Sequence, residues 1–325
     1  MAKKKVYFYK VSAQIKGNIF AYDLIGEEIS KIVEKNGVKN GKYGEEIITL
    51  NLSKNPNKDS ICLDVVKSNQ RFIFGRMCKE KDYTELLKRK LENYEAETPL
   101  GQEEENVALQ VISYFMYDIE KAILCFSKSQ GGPGYEAFMN IFEKYKKEMI
   151  VSINPIPNKN AIDLIYYDKG TDLLNLVLEI PNPNAEFIEK VLMKGANVSE
   201  TEKAVLSSLT QNTKRAVIKL CNDERKHLEN NPKNARKIID FLKNNKQKYN
   251  KTILNGKSMN ISSQDFDLNA EYYSYSIDVK YEKVSKGKRI RLSLDKIDDS
   301  YLQALEDTYY NVHKDTILGL VNRMD

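Results

Sequence analysis

The chain has 325 residues, of which 41% are hydrophobic and 30% are charged, and this length allows two domains with separate cores. No apolar run approaches the roughly 18 to 20 residues that cross a bilayer, which excludes an integral membrane protein with helical spans. The first ten residues lack the apolar stretch of a secretory signal. Because no such signal is present, we expect a cytoplasmic protein that does not insert into membranes directly. The formal net charge is +5 at pH 7.

The first half of the chain alternates between strand and helix patterns. Strands are predicted at 5–13, 46–53, 60–67, 71–78, 107–117 and 121–127. Helices are predicted at 21–35 and 82–94, and a further amphipathic helix carries Phe138, Ile141, Phe142 and Tyr145. These elements predict an N-terminal α+β domain, 1–148, with mixed or antiparallel sheets.

The second half begins with predicted strands and then becomes largely helical. Strands are predicted at 149–154, 161–168, 172–180, 215–221, 272–283 and 289–294, and the segment 184–250 is predicted to be mostly helical. A last helix is expected from a cap at Asp298 or Asp299 to about Asn322. Its apolar stripe contains Leu302, Leu305, Tyr309, Val312, Thr316 and Leu320. We therefore predict a C-terminal α+β domain, 149–325, with a helical basic insert at about 196–257 and a long C-terminal helix.

Positive charge is concentrated in one segment. Between Arg225 and Lys257 there are ten basic residues and two acidic ones. Clustered positive potential is typical of proteins that bind polyanions. The alternative is a solvated helix whose lysines only maintain solubility.

The composition of this segment favours double-stranded DNA as the polyanion. Its aromatic residues are Phe241 and Tyr249, too few for the stacking platform that single strands require. Within 232–251 the apolar residues keep helical spacing and leave a basic ridge on the other side. The predicted DNA-binding residues are Lys233, Arg236, Lys237, Lys243, Lys246, Lys248, Lys251, Lys286, Lys288 and Arg289. Because phosphate contacts carry no base information directly, binding should be largely independent of sequence.

No catalytic residue, metal site or cofactor is predicted. His227 and His313 have no partner at metal-ligand spacing. The cysteines (Cys62, Cys78, Cys125 and Cys221) contain no CxxC pair and are expected to be buried reduced thiols. The segment Gly131-Gly132-Pro133-Gly134 lacks the spacing of a phosphate-binding loop and predicts a turn.

Two other functions stay open. Asp267, Asp278 and Lys280 are the nearest approximation to the acidic pair and lysine of a metal-dependent nuclease. In the other alternative, the protein is an interaction module whose basic helix binds an acidic protein. We favour DNA binding without catalysis.

Several short stretches resemble the RexA family of phage-exclusion proteins and, more distantly, the KwaB-type phage-defence proteins. These stretches are Ile123–Ser127 with Gly132-Pro133-Gly134, Val151–Pro155, Leu178–Pro181, Phe187–Leu192, and the C-terminal helix after Leu292-Ser293-Leu294 with Tyr309 and Tyr310. The resemblance covers most of 45–325 and carries no catalytic signature. The chain departs from the family in the long helical stretch 196–257.

The resemblance implies a two-domain α+β protein that binds DNA independently of sequence, self-associates and helps to stop phage infection. We accordingly expect a homodimer and a partner protein, for which a membrane-embedded protein is one candidate. Tyr301, Tyr310, Ile317 and Leu318 lie off the apolar stripe of the last helix and widen its apolar arc. These residues predict a self-association surface on that helix.

Overall fold

The structure is a computed structural model. It describes residues 2–15, 18–19, 22–40, 47–53, 61–81, 88–89, 96–97, 109–158, 161–162, 172–181, 199–201, 204–205, 208, 215–222, 228–229, 231–245, 248–249, 251–258, 261–285, 288–322 and 324. The chain divides into two compact units. The first comprises Met1–Ile156 and Ser274–Asn311, and the second comprises Pro157–Tyr273 and Val312–Asp325.

The strands in chain order are β1 (Ala2–Ile15), β2 (Asn18–Ile19), β3 (Val38–Asn40), β4 (Ile47–Asn51), β5 (Ile61–Ser68), β6 (Phe72–Glu80), β7 (Lys88–Arg89), β8 (Ala96–Glu97), β9 (Gln110–Asp118), β10 (Ile123–Ser127), β11 (Met149–Pro155), β12 (Asp172–Pro181), β13 (Arg215–Cys221), β14 (Lys251–Ser258), β15 (Ile261–Asp267), β16 (Ser274–Val279), β17 (Glu282–Ser285) and β18 (Lys288–Arg291). The α-helices are α1 (Tyr22–Asn36), α2 (Asn140–Tyr145), α3 (Pro232–Asn244), α4 (Leu294–Glu306) and α5 (Lys314–Val321). A 3-10 helix (Tyr135–Met139) precedes α2, and a π-helix (Asp307–His313) connects α4 to α5.

The first unit is built on a ten-stranded sheet with the order β11-β1-β10-β9-β6-β5-β4-β3, in which β2 and β16 also pair with β1. Residues 2–7 of β1 pair with β16, and residues 9–15 pair with β11. The segment 157–273 of the second unit is therefore inserted between two strands that use successive parts of β1. Every strand pairing among the described residues is antiparallel. The α+β class is as predicted.

Helix α1 confirms the helix predicted at 21–35. Its apolar residues Ile25, Ile29, Ile32 and Val33 recur at helical spacing and are all buried in the core of the first unit. The same core contains aromatic residues of the sheet and of the 3-10 helix, such as Phe115 and Phe138, whose rings meet edge to face at 5.5 Å. The helix therefore covers the sheet because one stripe of its surface is apolar.

A tight turn joins β5 to β6. The Oδ1 atom of Asn69 accepts hydrogen bonds from the backbone N–H groups of Arg71 and Phe72 at 2.8 and 2.9 Å. Asparagine favours turns because its side chain can satisfy nearby backbone donors in this way. The strands predicted at 60–67 and 71–78, on either side of this turn, are confirmed.

Two elements predicted from the sequence differ from the structure. Lys88–Arg89 pairs as a short strand with Ala96–Glu97 and does not belong to a helix over 82–94; the rest of that prediction lies outside the described residues. At the predicted strand 161–168, residues 161–162 are helical, and 163–168 likewise lie outside the described part of the chain.

The second unit contains a four-stranded sheet, β13-β12-β14-β15, and helix α3. Asn231 caps this helix by accepting a hydrogen bond from the backbone N–H of Lys233 at 3.0 Å, and Pro232 occupies the first turn. Ala235, Ile239 and Leu242 form its buried stripe.

The predicted helical insert is only partly helical. Helix α3 ends at Asn244, and Lys251 begins strand β14, so the predicted helix over 232–251 is too long. Strand β13 confirms the strand predicted at 215–221. Both β13 and β14 pair with β12, and this tertiary pairing outweighs the helical pattern of the surrounding sequence.

The last helix begins earlier than predicted, at Leu294 after Ser293, so neither Asp298 nor Asp299 is its cap. Asp298 is instead buried. Its Oδ2 atom accepts a hydrogen bond from Arg76 Nη1 at 2.9 Å, and its Oδ1 atom accepts one from the Tyr114 hydroxyl at 2.7 Å. Burial raises the pKa of the Asp298 carboxyl, while Arg76 and Tyr114 oppose the shift. This carboxylate ties α4 to the large sheet.

The π-helix changes which residues of the last helix face inward. A π-helix has a wider turn than an α-helix, so the stripe drawn at α-helical spacing is interrupted within it, at Val312. The other predicted members of the stripe are buried, namely Leu302, Leu305, Tyr309, Thr316 and Leu320. Val312 is 49% exposed, although the sequence placed it on the stripe, while His313 is fully buried. Tyr301 and Ile317, expected on a self-association surface, are buried as well.

The two units divide the chain differently from the predicted domains 1–148 and 149–325. Residues 274–311, expected in the C-terminal domain, belong to the first unit. The reason is the pairing of β16 with β1 and the attachment of α4 through Asp298. None of the helices in the described residues combines the length and the apolar character needed to cross a bilayer.

The bonds of Asp298 predict a large effect of its removal. Substitution Asp298→Ala should lower the free energy of unfolding by about 3 kcal/mol, because buried Arg76 loses one of its two carboxylate partners and Tyr114 loses its acceptor. Urea unfolding at pH 7 measures this change. The neighbouring Asp299 is exposed, so Asp299→Ala should stay within about 0.5 kcal/mol. Equal effects of the two substitutions would contradict an anchoring role.

His313 predicts a dependence of stability on pH. Burial lowers its pKa from 6.5 to about 4, so the unfolded chain binds a proton at a higher pH than the folded chain. The resulting stability is complete above pH 6.5 and is lost as the pH falls from there to about 4, by up to about 3 kcal/mol. Urea unfolding at several pH values should show a flatter profile for His313→Gln. An imidazole NMR signal of His313 that titrates near 6.5 in the folded protein would refute this assignment.

Candidate functional site

Helix α3 presents two of the predicted DNA-binding residues to solvent. Lys233 and Lys237 are exposed and lie four residues apart, opposite the buried stripe of Ala235, Ile239 and Leu242. Arg236 and Lys243 lie at the sides of the helix and are half-buried. The side of α3 opposite its buried stripe is therefore basic, as the helical spacing predicted. Its fully exposed lysines on the helix are Lys233 and Lys237, which is fewer than expected.

The residues after α3 are not a continuation of this ridge on the same helix. Lys248 is exposed, and its backbone N–H donates to the carbonyl of Asn245 at 2.9 Å in a turn. Lys251 is exposed in β14, where it lies opposite Glu179 of β12. Lys246 lies outside the described residues. The exposed lysines Lys233, Lys237 and Lys248 are called the α3 surface below.

The hairpin of β17 and β18 carries the second group of predicted residues. Lys288 and Arg289 are exposed, and Lys286 lies outside the described part of the chain. Lys283 and Arg291 are exposed too, so basic side chains occupy both faces of the hairpin. The exposed residues Lys283, Lys288, Arg289 and Arg291 are called the hairpin surface below.

The base of this hairpin is fixed to the first unit. The backbone N–H of Leu292 donates to the carbonyl of Tyr281 at 2.8 Å, and the hydroxyls of Tyr281 and Tyr301 are hydrogen-bonded to each other. The Lys4 ammonium lies 5.6 Å from the centre of the Tyr281 ring. A two-stranded hairpin has little stability of its own, so these contacts at its base position the basic strands.

The α3 surface and the hairpin surface belong to different units. The α3 surface lies in the second unit, whereas the hairpin surface lies in the first. They are therefore two separate basic surfaces. Cations on an exposed helix and on an exposed hairpin can both contact phosphate groups without reading base edges.

One aromatic side chain adds to the α3 surface. Phe241 is 59% exposed on α3, and Tyr249 is half-buried beyond the end of that helix. Sequence spacing indicated an aromatic residue in a basic helix but not whether it faces solvent. Single apolar side chains are commonly exposed on protein surfaces, so this ring does not by itself distinguish α3 from a merely soluble helix.

The residues of the nuclease alternative are divided between the units. Asp267 belongs to the second unit, and Asp278 and Lys280 belong to the first. Asp278 is exposed and lies opposite Lys3 in the pairing of β16 with β1. No observation on the described residues favours a metal-dependent nuclease built from these three side chains.

The Gly131-Gly132-Pro133-Gly134 segment forms a turn, as predicted. Gly131 has φ of +78°, a backbone conformation that glycine adopts without strain, and the N–H of Gly132 donates to the carbonyl of Ser129 at 3.0 Å. The Ser113 hydroxyl donates to the carbonyl of Pro133 at 2.9 Å. These bonds within the protein explain the shape of the loop without a phosphate ligand.

One polar cluster was not predicted from the sequence. Cys62, Asp64 and Cys78 bring possible ligand atoms within 4.8 Å of one another. The expectation of buried thiols is correct for Cys78 and Cys125 but wrong for Cys221, which is exposed, and Cys62 is half-buried. The two predicted strands place both cysteines on neighbouring strands, but simple pairing across the connection between them would put Cys62 opposite Arg76. The observed pairing with Cys78 depends on the geometry of the turn and on the register shift between Val65 and Lys67.

The chain matches no protein-family model, and comparison with curated proteins gave no significant match.

Proposed function

We propose that the protein binds duplex DNA without strong sequence preference, through the α3 surface and the hairpin surface. The observation that carries this proposal is the exposure of Lys233 and Lys237 on α3, opposite its buried stripe. Exposed cations attract phosphate by Coulomb forces and release counterions when they bind, so they need no specific pocket. Catalysis is not part of the proposal.

The hairpin surface supports the proposal as a second element. Its four cations project from both faces of a two-stranded ribbon that is held at its base. A ribbon of this width can enter a groove or lie along the phosphate backbone. Two separate basic elements would engage more phosphates than either alone, which raises affinity through effective concentration.

The biological setting that we propose is defence against phage or phage exclusion, of the abortive-infection type. This part of the proposal is supported by the resemblance to the RexA and KwaB families. The same resemblance supports a homodimer and a partner protein. Tyr301 and Ile317 are buried in the protomer, and the Tyr310 hydroxyl donates to the carbonyl of Arg71 at 3.2 Å, so the proposed dimer is not assigned to these residues.

The salt dependence of binding tests the proposal directly. If about six phosphates are neutralised, the logarithm of the association constant should fall against the logarithm of salt concentration with a slope of about −5. Fluorescence anisotropy with duplexes of unrelated sequence should give equal affinities and equal slopes. Binding that is insensitive to salt, or confined to one duplex, would exclude phosphate contacts as the main source of affinity.

Charge-reversal variants locate the contacts. We expect the triple substitution Lys233→Glu, Lys237→Glu and Lys248→Glu to weaken binding and to reduce the magnitude of the slope by about 3, one for each lost phosphate contact. A second triple variant, with Lys288→Glu, Arg289→Glu and Arg291→Glu, tests the hairpin surface in the same way. All of these residues are exposed, so the melting temperature should change little.

The matched control is Lys35→Glu, Lys67→Glu and Lys147→Glu, which changes the net charge equally at exposed positions outside both surfaces. It should bind almost as well as the unmodified protein. If all three variants lose affinity to the same extent, net charge alone explains the binding and neither surface is a site. Competition by an acidic polypeptide as effective as that by DNA would favour a protein partner.

Supercoiled plasmid should remain intact when incubated with the protein and Mg²⁺ or Mn²⁺. The reason is that Asp278 lies opposite Lys3 on an exposed edge of the sheet rather than beside a second carboxylate of its strand pair. Gel electrophoresis measures nicking and linearisation. Cleavage that disappears in Asp278→Ala but persists in Asp299→Ala would establish the nuclease alternative.

A further inference from the structure

Cys62 and Cys78 lie directly opposite each other on neighbouring antiparallel strands. They are Cα partners in the pairing of β5 with β6, within a stretch of regular register that runs from Ile61 to Val65. The β-carbons of directly opposed residues are about 4.5 to 5.5 Å apart, and a disulfide needs about 3.5 to 4.5 Å. A small approach of the two strands is therefore sufficient to join the sulfur atoms.

The two thiols differ in their access to solvent. Cys62 is half-buried and its Sγ atom accepts a hydrogen bond from Gln110 Nε2 at 3.7 Å, whereas Cys78 is buried. The hydrogen bond from the Cys78 thiol lowers the pKa of Cys62, although burial opposes the shift. The same hydrogen bond, together with burial, raises the pKa of Cys78. Cys62 is thus the thiol that ionises first and that a small solute can reach.

A metal ion is a less suitable occupant of this cluster. The Oδ2 atom of Asp64 accepts hydrogen bonds from Arg76 Nε and Nη2 at 3.2 and 2.8 Å, and its Oδ1 atom accepts one from the Thr49 hydroxyl at 2.7 Å. A divalent cation bound here would have to displace a guanidinium or lie beside it. Asp64 also lies 3.7 Å from Cys78 Sγ, so it holds the buried thiol in its protonated form.

We propose that Cys62 and Cys78 are a reversible redox pair that hydroperoxides oxidise to an intramolecular disulfide between β5 and β6. This inference is independent of DNA binding. It rests on the strand register, on the unequal exposure of the two thiols and on the donors around Cys62.

The reaction proceeds in two balanced steps. The Cys62 thiolate attacks one oxygen of hydrogen peroxide, the O–O bond breaks, and the products are a Cys62 sulfenic acid and hydroxide, which takes up a proton to become water. Cys78 Sγ then attacks Cys62 Sγ, the S–O bond breaks, and the Cys78 proton leaves with the hydroxyl group as a second water. Two thiols lose two electrons and the peroxide gains them. A small dithiol reverses the reaction by thiol–disulfide exchange.

The test uses the full-length protein, reduced and then treated with hydrogen peroxide. Free thiols are alkylated after timed intervals, and peptide mass spectrometry identifies the disulfide. We expect two of the four cysteines to become protected from alkylation, a single peptide pair joining Cys62 to Cys78, and full recovery of four thiols after dithiothreitol. Cys62 should react at least about tenfold faster than Cys221, because reactivity follows thiolate character rather than exposure alone.

Three single-cysteine substitutions distinguish the roles of Cys62, Cys78 and Cys221. In Cys78→Ser the sulfenic acid of Cys62 should accumulate and be captured by dimedone, whereas Cys62→Ser should form neither the adduct nor the disulfide. Cys221→Ser, which removes the more exposed thiol, should form the disulfide at the rate of the unmodified protein. If a variant does not fold, the disulfide identified by mass spectrometry in the unmodified protein still tests the proposal.

Three outcomes would overturn the proposal. The first is that Cys62 and Cys78 stay reduced while Cys221 is oxidised. The second is a disulfide that joins two protein molecules. The third is stoichiometric retention of Zn²⁺ by the reduced protein that is lost in Cys62→Ser, since it would make the cluster a metal site.

Discussion

The attachment of the C-terminal helix to the large sheet depends on one buried guanidinium. Arg76 is 5% exposed and forms ion pairs with Asp64 of the neighbouring strand and with Asp298 of α4. Removing such charges from water costs several kcal/mol, which only good geometry and further hydrogen bonds offset. Because apolar residues could supply stability equally well, we infer that these charges specify where the helix attaches and at which rotation.

A second buried carboxylate attaches the π-helix to the same sheet, and in this case the carboxylate belongs to the sheet. Asp118 is buried at the end of β9 and accepts a hydrogen bond from the Tyr309 hydroxyl in the π-helix at 3.0 Å. Between the two carboxylates, the rings of Tyr114 and Tyr301 stack at 3.7 Å. Aromatic hydroxyls and carboxylates thus fix the helix at several points along the sheet. Tyrosine suits positions 114 and 309 better than phenylalanine, because each hydroxyl donates a hydrogen bond to a buried carboxylate.

Local periodicity predicted the strands and helices that lie on one amphipathic face, such as α1 and the β5–β6 pair, because their pattern repeats every 3.6 or 2 residues. It failed where tertiary contacts decide, as at Lys251, where pairing with β12 replaces a helix. The basic residues of α3 could be identified from composition. Which of them are exposed could not be predicted, because the half-burial of Arg236 and Lys243 depends on how the helix packs. The opposition of Cys62 and Cys78 was implicit in two correctly predicted strands, yet required a register that periodicity alone does not supply.

The insertion of 157–273 between β11 and β16 has a consequence for biosynthesis. Residues 2–7 pair with 274–279, so during synthesis this part of β1 emerges long before its partner strand. Until then that half of β1 is an unpaired strand edge, which other chains can pair with. The large sheet of the first unit can therefore be completed only after the whole inserted segment 157–273 has been synthesised.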